Sequence, residues 1–306
     1  MLHIPSDSWR GWLAGATLAT LMAPAHALNV FVCEPEWGAV VRALAPDAQV
    51  RSATHARQDP HHIEARPSLI AALRRADLAV CTGASLESGW LPVLQQRSAN
   101  PRVQTGAPGM VFAADHAALI DPRPPGSPFD GDVHTEGNPH LHLDPRRMLE
   151  VAGAVREAIE QTEPARREQL RSRQAAWEKD WRGRIAQWER RAAPLRGMRI
   201  AAQHTSYAYL WNWLGIEQVA DLEPKPGMPP TPGHLQRVLA LASAAPPRAV
   251  IVSTYQDPKP GQWLGQQLRI PVLQLPATVS EEAPASELAT FFDQLIDRLL
   301  EVHGSR

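Results

Sequence analysis

"PARREQLRSRQAAWEKDWRGRIAQWERRA", residues 164–192, decides how the chain is organised. Pro164 can open a helix because its missing N–H costs nothing in the first turn. The stretch that follows is rich in Arg, Glu and Gln and has no internal breaker stronger than Gly183. Its tryptophans stand at 177, 181 and 188, and spacings of four and seven place them on one helical face. That face is a packing stripe, and the polar remainder faces water. A helix this long, with βα patterning on both sides of it, predicts two lobes and a connector between them.

Upstream, short apolar runs alternate with helical segments. "NVFVC" (29–33), "AQVRSA" (48–53) and "DLAVC" (77–81) read as strands. Helices are expected from Pro35 to about Leu44, from Pro67 to Ala76, and over "LESGWLPVLQQ", where Pro92 should perturb the pattern. Downstream, "MRIAAQH" (198–204) starts a second series, with strands near 217–220, 248–253 and 271–275 and a terminal helix over about 286–302. Strands separated by helices imply βαβ units and parallel sheets. The fold class is therefore α/β, with two lobes of mainly parallel sheet joined by a long rigid helix. The expected boundaries are 28–162 for the first lobe, 163–195 for the linking helix and 196–306 for the second lobe. Two such lobes leave a cleft at the carboxyl ends of their strands, where open α/β sheets take ligands.

Residues 1–27 are set apart from the fold. Arg10 precedes an apolar run from Gly11 to Ala23, and Ala25-His26-Ala27 is a small-x-small pattern. This is a secretory signal with cleavage expected after Ala27 and a periplasmic destination, with a membrane anchor as the alternative. No later stretch is apolar enough to span a membrane. The formal net charge is −1, so no global basic field exists to hold nucleic acid or anionic lipid. The two cysteines, Cys33 and Cys81, each end a strand run. In an exported protein they are candidates for a disulfide; otherwise they are two buried thiols.

The twelve histidines carry the chemistry. His61 follows the second strand, His140 closes an irregular segment (105–144), and His204 ends the first strand of the second lobe. Imidazole nitrogen suits a borderline-soft ion such as Zn²⁺, and ligands drawn from separate elements suit a site between lobes. Solvated or hydrogen-bonded histidines with no metal would show the same spacing.

Local patterns sharpen this. "DPHHIEARPS", "NPHLHLDP" and "QHTSYAYLWNWLGI" resemble, in order, three segments of the zinc/manganese substrate-binding proteins of ABC importers, the cluster A-I type. The resemblance runs over roughly residues 28–300 and includes the linking helix. It implies a monomeric periplasmic receptor, not an enzyme, that captures a transition metal and delivers it to a membrane permease. The metal ligands it implies are His61, His140 and His204, while His62 and His142 fall on positions that do not ligate. Many members add a carboxylate after a strand of the second lobe. Here that region reads "PVLQLPATVSEE" (271–282), without the Asp. Asp257, in "STYQDPKP", is the candidate replacement, ahead of Glu281 and Glu282, and a water is another. Three imidazoles with at most one carboxylate favour Zn²⁺ over Mn²⁺, which prefers more oxygen. Neutral imidazoles must close around the ion, so affinity should fall below about pH 6.

Two stretches stay less determined. The irregular segment holds His116 and His134 beside Asp115, Asp130, Asp132 and Glu136. It is either a reduced metal-gathering loop or a solvated acidic one. "EPKPGMPPTPGHL" (223–235) reads as a rigid turn into a helix capped by Thr231, with His234 in its first turn and not a ligand. The competing function is a zinc-dependent hydrolase with Glu64 or Asp257 as general base, since three histidines and an open position also describe a catalytic zinc. A receptor or chaperone for a metal–metallophore complex is a third.

Overall fold

The protein is described by a computed structural model covering residues 27–122, 132 and 134–304. Its strands form two four-stranded sheets, both parallel. The first has the order β2-β1-β3-β4, from β1 (Asn29–Val32), β2 (Gln49–Ser52), β3 (Leu78–Cys81) and β4 (Met110–Phe112). The second repeats that order as β6-β5-β7-β8, from β5 (Arg199–Ala202), β6 (Glu217–Asp221), β7 (Val250–Ser253) and β8 (Val272–Leu275). In both, the first strand of the series lies inside the sheet and the chain crosses over, as short βαβ units require. β4 is a strand the sequence pattern hides. It has three residues, and the turn chemistry around it masks so short an apolar run.

Helices begin where the sequence offers caps. α1 (Pro35–Leu44), α2 (Pro67–Arg75) and α3 (Leu91–Ser98) all carry proline in the first turn. Pro92 therefore starts α3, where the sequence suggested a perturbed helix beginning at Leu86. The Asp144 side chain accepts from the Arg146 N–H to cap α4 (Pro145–Thr162). A 3₁₀ turn at Pro164–Arg166 precedes α5 (Arg167–Ala192), so the connector is helical from end to end with a kinked start. In the second half, α6 (Ala208–Leu214) and α7 (Pro232–Ala244) precede α8 (Lys259–Leu268) and α9 (Glu287–Gly304). Thr231 caps α7 as its sequence suggests.

Each sheet is covered on both faces. α2 and α3 seal the outer side of the first over Phe31, Leu73, Leu94 and Val103. α7 and α8 do the same for the second over Val238, Val250, Val252 and Leu264. The inner faces share one apolar core running through α1, α4, α5, α6 and α9. The tryptophan stripe lies within it. Trp181 stacks on Trp177 with centroids 5.2 Å apart and meets Phe292 of α9 at 5.8 Å. Trp188 lies 5.1 Å from Phe292 and donates its indole N–H to Asp293 at 2.9 Å. α9 packs on α5 and also on α1, so the end of the chain returns to the first sheet's side. The connector is thus a structural wall between two rigid layers.

Cys33 and Cys81 form a disulfide. They lie one rung beyond the Val32–Val80 register pair of two adjacent parallel strands, with Cα atoms 4.7 Å apart. It staples the carboxyl ends of β1 and β3, beneath the cleft. Among the described residues no helix is long and apolar enough to cross a membrane.

Candidate metal site

The carboxyl ends of both sheets face one cleft, and three histidines meet there. His61, His140 and His204 are all buried, with exposures of 6%, 4% and 4%. Each offers a ring nitrogen within 4.8 Å of the others. Their centroids form a near-equilateral triangle with sides of 5.5, 5.5 and 5.7 Å.

Each imidazole is oriented by its own element. His61 follows β2 in a loop pinned by Trp90, whose indole N–H donates to the Pro60 carbonyl at 2.9 Å. Asp59 Oδ1 accepts from the His61 backbone N–H at 3.0 Å and from Nδ1 at 2.7 Å. Nδ1 must carry the proton there, which leaves the Nε2 lone pair pointing inward. His140 stands at the start of a 3₁₀ turn before α4. Asn138 holds it, accepting the His140 backbone N–H at 2.9 Å while donating to the Thr205 carbonyl in the second half at 2.9 Å. His204 follows β5 with φ +67°, a left-handed conformation that costs a histidine energy and aims its ring into the cleft. The Asp221 carboxylate accepts its backbone N–H at 3.1 Å, and Glu223 Oε2 faces its Nδ1 at 2.9 Å.

The electrostatics are those of a site built for a cation. Burial, then the neighbouring imidazoles, push the His140 pKa well below the usual histidine value. Its Nε2 is buried and has no hydrogen-bond partner. Buried polar atoms are rarely left so, and the His140 ring lies 5.5 Å from that of His61 and 5.7 Å from that of His204. Burial also opposes charging of His204, but the Glu223 carboxylate on Nδ1, with Asp221 and Asp132 near, outweighs it and raises its pKa. A carboxylate on the far nitrogen makes an imidazole a stronger donor to a metal. Zinc at about 2.0–2.1 Å from each nitrogen needs nitrogens about 3.3 Å apart. The ring nitrogens lie within 4.8 Å of one another, so the rings draw together to reach that spacing.

Asp257, the expected fourth ligand, lies apart from the converging nitrogens. Asp257 is exposed, and its Oδ1 accepts the Lys259 N–H, the first of α8, at 3.1 Å. It lines the outer part of the cleft and is not among the converging atoms. Glu281 and Glu282 are exposed as well. The loop after β8, where the family's Asp would stand, is turned to another use. The Ala277 carbonyl lies 2.8 Å from His142 Nε2, and Thr278 donates its hydroxyl to Glu36. Glu36 Oε1 is 3.1 Å from His142 Nδ1, so His142 is a buried strut between the two halves.

Of the remaining histidines, His62 is exposed and 3.7 Å from Asp132. His234 has Nε2 3.0 Å from the Asp221 carbonyl, and His116 is exposed after β4. Asp130 lies outside the described residues. Glu64, one nominee for a general base, is exposed. Sequence reasoning placed His134 only in a loop cluster, yet its Nε2 comes within 3.2 Å of His61 Nε2. It also overlooked Glu223, which lay inside a proline-rich run. The mouth above is a cleft of about 390 Å³ lined by Asp59, Asp132, Glu223 and Asp257. Those carboxylates make it attractive to cations.

A profile of the family described as the periplasmic component A of the zinc-uptake complex matches residues 30–302. No curated protein matches the chain at a significant level. Among solved structures, ZnuA superposes with a TM-score of 0.76 at 18% identity, covering 91% of this chain and all of that one. A ZnuA deletion mutant with zinc bound gives 0.75 at 19%, covering 92% and 100%. The substrate-binding protein FpvC from Pseudomonas aeruginosa, in complex with Mn²⁺, gives 0.73 at 18%, covering 90% and 98%. At such identities these structures establish the shared fold, while the profile spans nearly the whole length after residue 29. The chain belongs to the zinc-uptake component A family, the metal-binding substrate-binding proteins of ABC importers.

Proposed function

We propose that this protein is a periplasmic receptor that captures one zinc ion between its lobes and hands it to an ABC-type permease. One observation carries the proposal. His61, His140 and His204, from three separate elements and both halves of the chain, bring inward-facing nitrogens within 4.8 Å of one another. The donor set supports the metal: imidazoles converge, and among the described residues no carboxylate belongs to the converging group. That favours zinc over manganese, which takes more oxygen. Residues 28–162 and 196–306 act as the lobes and 163–195 as the wall that limits their motion. The N-terminal 27 residues act as the export signal, removed after Ala27. Capture and release need no bond to be made or broken in a substrate, and no enzymatic step is assigned.

Binding is coupled to protonation. Zinc requires the Nε2 lone pairs, so protons compete with it as pH falls. Burial opposes charging of His140, whereas the Glu223 carboxylate favours the charged form of His204, which therefore competes with the metal for its ring. The test is a competitive zinc titration of chelator-stripped protein from Leu28 onward, beside His61→Ala, His140→Ala and His204→Ala. One-to-one binding that each substitution weakens by at least about 100-fold fits a three-ligand site. Weak binding, or binding that survives any one substitution undiminished, refutes it.

A further inference from the structure

The disulfide end of the first sheet holds a second set of metal-ligating side chains. Cys33, Cys81 and Glu87 each present one ligand atom within 4.8 Å of the others, and all three are buried. In the oxidised chain the two sulfurs are spent on each other. Cys33 and Cys81 stand at the carboxyl ends of two adjacent parallel strands with Cα atoms 4.7 Å apart. The strand register keeps them there whether or not the sulfurs are joined. Zinc takes thiolate at about 2.3 Å and carboxylate at about 2.0–2.2 Å, so donors around one ion stand roughly 3.5–4 Å apart. Opening the S–S bond brings this group to that spacing.

Glu87 is held in place for this. Gly83, Ala84 and Ser85 have φ of +79°, +48° and +64°, a left-handed run that folds the chain back after β3. The Glu87 carboxylate then accepts the Thr82 N–H at 2.6 Å and the Gly83 N–H at 3.0 Å, directly after Cys81. Glu34, directly after Cys33, accepts the Thr82 hydroxyl through Oε2 at 2.9 Å and leaves Oε1 buried without a partner. A disulfide packed in a core has no use for two buried carboxylates, which burial penalises unless protons or a cation compensate. Burial pushes the Glu87 carboxyl up to about 7. An ion also has a way in. A surface cavity of about 210 Å³ is lined by Gly83, Ala84, Ser85, Glu87, Ser88 and Leu91.

We propose that in the dithiol state Cys33, Cys81 and Glu87 form a second metal site, beneath the cleft and separate from the three histidines, that takes thiolate-seeking divalent ions such as Zn²⁺. It stands independently of the capture function. The ion displaces the two thiol protons, and the Glu87 proton where one is held. Metal and disulfide exclude each other, because both draw on the same sulfur electron pairs. A chain loaded at this site keeps its thiols apart until the ion leaves, and an oxidised chain retains only the histidine site.

The test titrates Co²⁺ into the chain from Leu28 onward, oxidised or reduced with a phosphine. The phosphine takes the oxygen of one water to become its oxide, and that water's two protons, with two electrons from phosphorus, turn the disulfide into two thiols. Thiolate-bound Co²⁺ gives a near-ultraviolet charge-transfer band that imidazole-bound Co²⁺ lacks, so the band reports this site alone. The reduced chain should bind one more equivalent than the oxidised chain and show the band. Reduced His140→Ala should keep it, and Cys33→Ser/Cys81→Ser should lose it. Glu87→Gln should weaken Co²⁺ binding there by at least the roughly 10–100-fold that losing a ligand's supporting partner costs. Should the reduced chain be unfolded without metal, zinc should restore cooperative melting to reduced His140→Ala, whose histidine site is broken. Equal stoichiometry in both redox forms, no band in the reduced chain, or loss of the band in His140→Ala overturns the assignment. So does unchanged affinity in Glu87→Gln, or a reduced His140→Ala chain that zinc leaves unfolded. No binding to the oxidised chain, with the band kept in the reduced one, sinks the capture function alone.

Discussion

Removing the disulfide should cost this protein more than any single surface contact. Cys33 and Cys81 are 48 residues apart in sequence and close a loop that includes β2, the His61 loop and α2. The chain-entropy model gives about 4 kcal/mol of stabilisation for a loop of that length. Both sulfurs are fully buried in the outer core beside Phe31 and Leu94, so Cys33→Ala/Cys81→Ala also loses some packing. Spread over a chain of this size, about 4 kcal/mol corresponds to a drop of roughly 7–10 °C in Tm. The measurement is calorimetric melting of the metal-free mature chain, oxidised, against the double variant. The loop that carries His61 lies inside the closed segment, so zinc affinity should fall less than stability does. A Tm drop below about 2 °C, or two titratable thiols in the oxidised native protein, would refute the reasoning.

Other expectations follow from the same structure. Glu34 and Glu87 are buried together; burial pushes Glu87 up to about 7 and raises Glu34 well above the usual carboxylate value. The folded state therefore holds protons that the unfolded chain releases above about pH 4.5, and stability declines as pH rises through 7. Glu34→Gln, which carries its hydrogen permanently, should flatten that decline in urea melts run between about pH 5.5 and 8; an equal slope in both proteins would contradict it. Gly227→Ala should part the mouth segments, because its Cβ would lie 2.3 Å from Asp132 Oδ2 at φ +75°. Strain of about 1–3 kcal/mol there should lower the melting point by a few degrees and speed zinc release on the order of tenfold in stopped-flow chelation. Gly261→Ala acts on stability alone: its Cβ would meet Val252 Cγ2 at 2.6 Å where α8 lies on the second sheet, so it should cost about 1–3 kcal/mol in stability. Zinc affinity measured on the folded fraction should stay as in wild type.

Much of the architecture could be read from pattern. "NVFVC" and "DLAVC" are apolar on both faces because both faces of a parallel sheet are covered, and the structure pairs them as neighbours. Pro35, Pro67 and Pro145 mark helix starts because proline is tolerated only there. β4 was not legible, since three residues are too few to show a period. Asp257 could not be assigned from sequence, because an acid at a strand end can ligate a metal or accept a helix's first N–H, as Asp257 does from Lys259 at 3.1 Å. His134 was invisible as a site residue because its position depends on contacts with Ala84 and His61, 50 and 73 residues away. Asp59 opens the "DPHHIEARPS" motif but its role toward His61 shows only in the structure, and Glu223, which orients His204, stands in no motif.

The most direct measurement is anomalous diffraction at the zinc absorption edge from crystals grown with one equivalent of zinc. The account predicts a single strong peak in the cleft, about 2.0–2.1 Å from one ring nitrogen each of His61, His140 and His204. A peak held instead by Asp59, His62 and Asp132 at the mouth, with none among the three buried histidines, would contradict it.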